Sequence, residues 1–343
     1  MKLLHLSWRL STWARLLSMA AISMTAIVGV TSTIQAAVVT FGQPGNQFEM
    51  DFVTIGNTGN NADHTGSPNP AGSVGYTYGI GRFEVSEDMI NKYNSNFGTA
   101  NSLEITKDTR GVNKPATNVN WNEAARFVNW LNTSQGYHVA YKFTTNGVND
   151  NIALWSPGDA GYDSGNRYRN SLAKYVLPSY NEWYKAAYYN PSNGSYYDYA
   201  TSTNTVPAAV ASGMAPFTAV YNQSFPQGPA DVNQAGGTSP YGVMGMSGNV
   251  FEWEESSADL LNSNANSTRM VRGGSWHFTD TSFLSSSSRP DVAIQANRNS
   301  NDWGFRVVSI TSARPEAVPE PSMMMIGTLF ILGGIIAKRR MKK

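Results

Sequence analysis

Apolar and polar residues alternate from Phe48 to Ile55 (Phe-Glu-Met-Asp-Phe-Val-Thr-Ile), which is the period of a half-buried strand, and Gly56-Asn57 closes it. A second apolar run, Tyr76 to Val85, predicts another strand. Ser86 then stands where it can cap a helix whose Met89, Ile90, Tyr93 and Phe97 share one face. Trp121, Ala124, Val128 and Leu131 recur at three- and four-residue spacing, with Asn120 placed to cap them and Gly136 beyond their end. Ser179 with Glu182 three residues later has the spacing of a reciprocal capping box and opens a third helix, which must stop before Pro191. No helical period exists from Thr201 to Thr238. Short strands are expected at Met270–Arg272 and Gly304–Ile310, with a long polar loop between them, and no repeat is evident. The pattern predicts an α+β domain with little regular structure.

The two ends read differently. Pro319, Glu320 and Pro321 precede an uncharged run, Ser322 to Ala337, followed by Lys338, Arg339, Arg340, Lys342 and Lys343. The run is at the short end of what crosses roughly 30 Å of hydrocarbon, and basic residues after it are retained on the cytoplasmic side. The alternative is a short C-terminal core helix. The arrangement resembles the PEP-CTERM sorting tail of exported Gram-negative proteins. That likeness implies a transmembrane helix over 322–337, a sorting protease as partner, and passage across the inner membrane to the cell surface or extracellular matrix after transient anchoring. At the N-terminus, Lys2, Arg9 and Arg15 precede an apolar stretch from Leu16 to Val30, with small residues at Ala36 and Ala37. This is the layout of a secretory signal, with an uncleaved anchor as the alternative. The expected organisation is a signal over 1–37, one domain over 38–312, a linker over 313–317 and the sorting tail over 318–343.

Setting the ends aside alters the charge. The chain has 25 basic and 24 acidic residues. Without the eight basic residues of the two ends and without Glu316 and Glu320, 17 face 22, a net negative balance that argues against a nucleic-acid partner. Cysteine is absent, so neither a disulfide framework nor thiolate chemistry is available. Forty aromatic residues argue for a packed core over disorder.

Six patches in order then carry a family resemblance: Tyr78-Gly79-Ile80-Gly81-Arg82-Phe83-Glu84-Val85-Ser86, Asn118 to Ala124, Leu177 to Trp183, Gly248-Asn249-Val250-Phe251-Glu252-Trp253, Arg272-Gly273-Gly274-Ser275-Trp276, and Gly304-Phe305-Arg306. Together they resemble the formylglycine-generating enzyme (sulfatase-modifying factor) family across roughly Phe52 to Ile310, which implies an irregular α+β fold related to C-type lectins. Active members bind copper(I) through two cysteines before Gly-Phe-Arg. Thr281 and Ser286 fall at about those positions, and hydroxyls cannot replace thiolates there. No copper and no nucleotide are therefore expected. His64, His138 and His277 lack metal-ligand spacing. The resemblance implies calcium at Gly248, Val250 and Glu252, although the usual side-chain ligand three residues before Gly248 is replaced by Gly245; Asn222 would belong to a second such site.

Arg306 reads as a buried hydrogen-bonding strut, and Trp253, Trp276 and Trp303 read as core residues. The competing reading takes Trp276, His277, Phe278, Arg289, Gln295, Asn297, Arg298, Asn299, Asn301 and Trp303 as a surface for a glycan or an envelope protein, since aromatic faces and amides together suit such ligands. Asn-rich loops in this place also occur in ligand-binding variable proteins of the fold. The functions open at this point are a non-catalytic binding module, an enzyme with altered, copper-independent chemistry, and a structural component of the matrix.

Overall fold

The computed structural model describes residues 37–288 and 291–310. Residues 1–36 of the expected signal peptide, the linker and the sorting residues Pro319, Glu320 and Pro321 with their transmembrane run lie outside the described residues, as does Arg289, whereas Ala37, the last residue of the expected signal, opens the first strand. Among the described residues, no helix is long and apolar enough to cross a membrane.

Strand β1 (Ala37–Phe41) pairs antiparallel with β2 (Phe48–Ile55), whose Phe48, Met50 and Phe52 turn inward while Glu49 stays exposed. Strand β3 (Tyr78–Gly81) is shorter than the apolar run that predicts it. Helix α1 (Glu87–Tyr93) is capped by Ser86 and continues into a wider π turn, Asn94–Gly98. Helix α2 (Trp121–Ser134) and helix α3 (Tyr180–Tyr188), separated by β4 (Tyr175–Val176), both begin with complete capping boxes, Asn120 with Glu123 and Ser179 with Glu182. Each box satisfies amide hydrogens that a helix start leaves orphaned. Strands β5 (Ala208–Ala209) and β6 (Thr218–Ala219) form a small parallel pair. Next come β7 (Phe251–Ser257), β8 (Arg269–Arg272), β9 (Asp291–Ile294), β10 (Trp303–Gly304) and β11 (Val308–Ile310).

Two sheets organise the chain. One runs β1-β2-β3-β11-β4 and the other β10-β7-β8-β9. The single strand expected over Gly304–Ile310 is therefore two strands in different sheets, with Phe305, Arg306 and Val307 crossing between them, all fully buried. The loop expected between Arg272 and Gly304 contains a 3-10 turn, Thr281–Leu284, and the strand β9. Strand β7 escapes the apolar pattern because it reads Phe-Glu-Trp-Glu-Glu-Ser-Ser, yet all seven residues are buried.

One contiguous core joins both sheets and the helices, with Phe52, Ile80, Phe127, Trp183, Trp253, Val271 and Phe305 among its members. Phe305 meets Phe127 edge-on at 5.6 Å, which ties the crossover to α2. Burial of large aromatics of this kind dominates core energetics, and it stabilises this disulfide-free chain.

Candidate functional site

The crossover places Arg306 between the sheets. Its guanidinium donates to Glu252 from Nε and Nη2, each at 2.5 Å, to the Gly81 carbonyl at 2.8 Å and to the Met244 carbonyl at 2.9 Å. Glu252 also accepts from Trp183 Nε1 at 2.7 Å. Both side chains of the ion pair are fully buried. Glu84 lies against them: its Oε1 accepts from Asn249 Nδ2 at 2.9 Å, and its Oε2 is buried without a partner. Burial pushes the Glu84 pKa up to about 8; Arg306 pulls it back and Glu252 pushes it further up. For Arg306, burial opposes the charge, but Glu252 and Glu84 hold its pKa above the ordinary value.

This arrangement does not fit the calcium site that the resemblance implies. Both oxygens of Glu252 are spent on Arg306 and Trp183, and a guanidinium already supplies the positive charge that a dication would bring. A side chain at Gly245 would meet the Glu84 carboxylate at 2.4 Å, so Glu84 fills the space of the missing side-chain ligand. Gly248 has φ +78° and would drive a Cβ to 2.2 Å from the Val220 carbonyl, so the turn needs glycine for close backbone approach. Val250 is buried beside Val220, Ala230 and Trp276. Asn222 is exposed at φ 56°, with its amide donated to the Phe278 carbonyl at 2.9 Å.

The family's catalytic loop is altered as well. Thr281 opens the 3-10 turn and Ser286 follows it, while Phe278, before the turn, and Phe283, within it, pack ring against ring at 5.2 Å, both on Phe251. Ser286 is buried, with its amide donated to Asp198 and its carbonyl accepting from Ser67. Beneath this segment Arg272 Nε stands 3.2 Å from Glu254 Oε1 without hydrogen-bond alignment, and neither Glu254 oxygen has a hydrogen bond. Burial pushes Glu254 up to about 7 against the pull of Arg272. Among the described residues, no three His, Cys, Asp or Glu side chains gather to hold a metal ion.

The expected ligand surface divides in two. At one end Trp276 is 1 % exposed, so the expectation of a presented aromatic face does not hold for it, although its Nε1 has no partner. His277 and Phe278 are half-buried, and His277 lies under the exposed ring of Phe225 at 5.1 Å. At the other end Asn297, Arg298 and Asn299 are exposed, Asn301 is half-buried, and Trp303 stacks edge-on against the buried Trp253 at 5.3 Å. The amide end rests on the start of α2: the Asn118 backbone N–H donates to the Ser300 carbonyl, Asn299 Nδ2 donates to the Asn118 carbonyl, and the Asn122 backbone N–H donates to the Ala296 carbonyl.

Here the structure opens a cleft of about 410 Å³ lined by Asn122, Asn149, Asp150, Asn151, Asn266, Ser267, Gln295, Ala296 and Asn297. Its volume falls in the range of small-molecule sites, roughly 300–1,000 Å³. Asn122 is fully buried; its Nδ2 donates to the Asn149 carbonyl at 2.9 Å, but its Oδ1 has no partner. An unsatisfied buried acceptor costs about 1–3 kcal/mol, which makes this atom a feature to explain. Asn149 Oδ1 accepts from the capping residue Asn120 at 2.5 Å, and Asn151 Nδ2 donates to the Ala265 carbonyl at 2.6 Å and to Asn266 Oδ1 at 3.2 Å. Apart from Asn297 and Gln295, these residues escape sequence reasoning. The stretches Val148-Asn149-Asp150-Asn151 and Ser263-Asn264-Ala265-Asn266-Ser267 are rich in amides, but only the fold brings them together.

With this geometry in view, residues 41–310 match the model of the sulfatase-modifying factor enzyme 1-like domain. Among solved structures, Treponema denticola variable protein 1 is 20% identical with a TM-score of 0.52, over 80% of this chain and 98% of that one. CarF is 21% identical with a TM-score of 0.53, over 76% of this chain and 98% of that one. At such identities the likeness shows the fold. Among curated proteins none matches the chain.

Proposed function

The chain belongs to the family of the sulfatase-modifying factor enzyme 1-like domain, and from that premise we propose that it is a non-catalytic member: an exported, surface-sorted module that binds a glycan or envelope-protein ligand. One observation carries this reading. Where the family's oxidase chemistry needs two soft thiolates, the chain has no cysteine, and the hydroxyl residues Thr281 and Ser286 stand at about those places. Binding chemistry survives where catalytic chemistry does not, in the exposed Asn297, Arg298 and Asn299 and the cleft beside them. Export and sorting are supported by the charge and hydropathy pattern of the two ends, including Pro319-Glu320-Pro321 and the basic terminus.

Two experiments test the reading. Incubating the full-length chain and copper(I) with a cysteine-bearing sulfatase peptide is expected to leave the peptide mass unchanged; conversion to the aldehyde would overturn the non-catalytic assignment. Cell fractionation with and without the segment after Pro315 is expected to move the protein from the envelope to the soluble exported fraction when the segment is lost. The second reading, an enzyme with altered, copper-independent chemistry, draws on Glu254, a buried carboxylate 3.2 Å from Arg272 whose pKa burial pushes up to about 7 against the pull of that arginine.

A further inference from the structure

We infer that the amide-lined cleft at the start of α2 is a binding site for a neutral polyhydroxylated ligand, one or two sugar rings of a glycan, anchored by a ligand hydroxyl donated to Asn122 Oδ1. The inference rests on the binding reading above and assigns it a place and a ligand chemistry.

Three observations meet in the cleft. The first is its lining, in which six of the nine residues carry side-chain amides: Asn122, Asn149, Asn151, Asn266, Gln295 and Asn297. An amide offers donors and an acceptor on one planar group, the pairing that a ring of hydroxyls needs, since each hydroxyl both gives and takes a hydrogen bond. The second is charge. Among the described lining residues Asp150 is the one charged side chain, and hydrogen bonds from Thr145 and Gly147 favour its ionised form. With no cation among the described lining residues, none of them compensates a sulfate, a phosphate or a uronic carboxylate, so a neutral ligand is selected. The third is Asn122 itself. It is fully buried on the cleft wall with an orphaned acceptor, and its Nδ2 is already committed to the Asn149 carbonyl, so the amide cannot turn to satisfy the oxygen without losing that bond. The oxygen is covered in the free chain, so a ligand hydroxyl reaches it by a small shift of the cleft wall, and the bond then made requires no turn of the amide.

The lining is also held in place. The Asn120 cap fixes Asn149, and Asn151 bridges to the segment holding Asn266. Donor and acceptor positions held this way are pre-organised, which reduces the entropy lost on binding. The cleft thus draws on the start of α2, the loop after Gly147, the loop before β8 and the loop after β9, four chain segments far apart in sequence.

The test is binding of the full-length chain, in a detergent without a sugar headgroup, to arrays of neutral, uronic and sulfated oligosaccharides. Asn297→Ala and Asn122→Ala are measured beside wild type, with His277→Ala reporting on the aromatic end. Expected are binding to neutral oligosaccharides and a loss in both cleft variants, roughly tenfold in Asn122→Ala and severalfold in Asn297→Ala, the order of one hydrogen bond to a buried and to an exposed partner. Asn297 is exposed, so its variant reads the site even if Asn122→Ala fails to fold. Glycan binding lost in His277→Ala but intact in Asn297→Ala would overturn the cleft and leave the binding reading standing. Binding confined to anionic glycans, or to none, would overturn the ligand class. Aldehyde formation on a sulfatase peptide would instead remove the reading on which the inference rests.

Discussion

Replacing Arg306 with Met tests whether the buried ion pair with Glu252 holds the crossover between the two sheets. The side chain removed is fully buried, and its loss leaves Glu252 without a counter-charge beside Glu84, while the Gly81 and Met244 carbonyls lose their donors. Breaking one side of a buried ion pair costs about 3–5 kcal/mol, against a total stability of about 5–15 kcal/mol for a folded domain. For a domain of this size each kcal/mol moves the midpoint by roughly 2–4 °C. Urea unfolding of the full-length chain, followed by tryptophan emission, reads the effect directly, because Trp183 donates to Glu252. The double variant Glu252→Gln with Arg306→Met removes the uncompensated charge and is expected to recover at least about 1 kcal/mol relative to the sum of the single changes. Arg306→Met within about 1 kcal/mol of wild type, a typical single-substitution effect, or a strictly additive double variant, would refute the reasoning.

Three further outcomes follow from the same geometry. The pKa of Glu84 is raised in the folded chain, so the folded state keeps its proton to higher pH than the unfolded state does, and stability falls as pH rises from the ordinary carboxylate range to about 8. Glu84→Gln is expected to flatten denaturation midpoints over that window, by up to about 1.4 kcal/mol per pH unit; an unchanged slope would show that the carboxyl ionises freely. Asn120→Ala removes a capping box and the support of Asn149, and is expected to lower stability by about 1–2 kcal/mol in chemical denaturation, with an effect below a few tenths counting against the cap. Calorimetry with millimolar calcium and then with a chelator is expected to give the same midpoint, since Glu252 is saturated by Arg306 and Trp183; a calcium-dependent rise of several degrees would mean that the pair opens to admit the ion.

How much of this was legible in the chain differs from element to element. The starts of the helices were, because a cap and its partner are three residues apart: Asn120 with Glu123 and Ser179 with Glu182 both form as the spacing predicts. Strand β2 was legible too, its alternation being a local consequence of one buried face. The strut role of Arg306 could be read from its chemistry and its place after Gly304-Phe305. Strand β7 could not, because three glutamates in seven residues look like a solvated face until their partners arrive. Glu252 meets Arg306, Glu254 faces Arg272, and Glu255 accepts from Arg169 and Tyr141, all supplied by other segments.

The candidate site follows the same division. By itself the sequence determined that thiolate chemistry is absent, that six patches stand in one family's order, and that the loop before Gly304 offers amides, since composition and local spacing are properties of the chain. Only the tertiary structure decided that Trp276 turns inward, that Glu84 takes the space beside Gly245, and that Asn122, Asn149, Asn151 and Asn266 meet Asn297 around one cleft. The physical reason is that burial and convergence depend on which distant segments pack together, and no local period records that pairing.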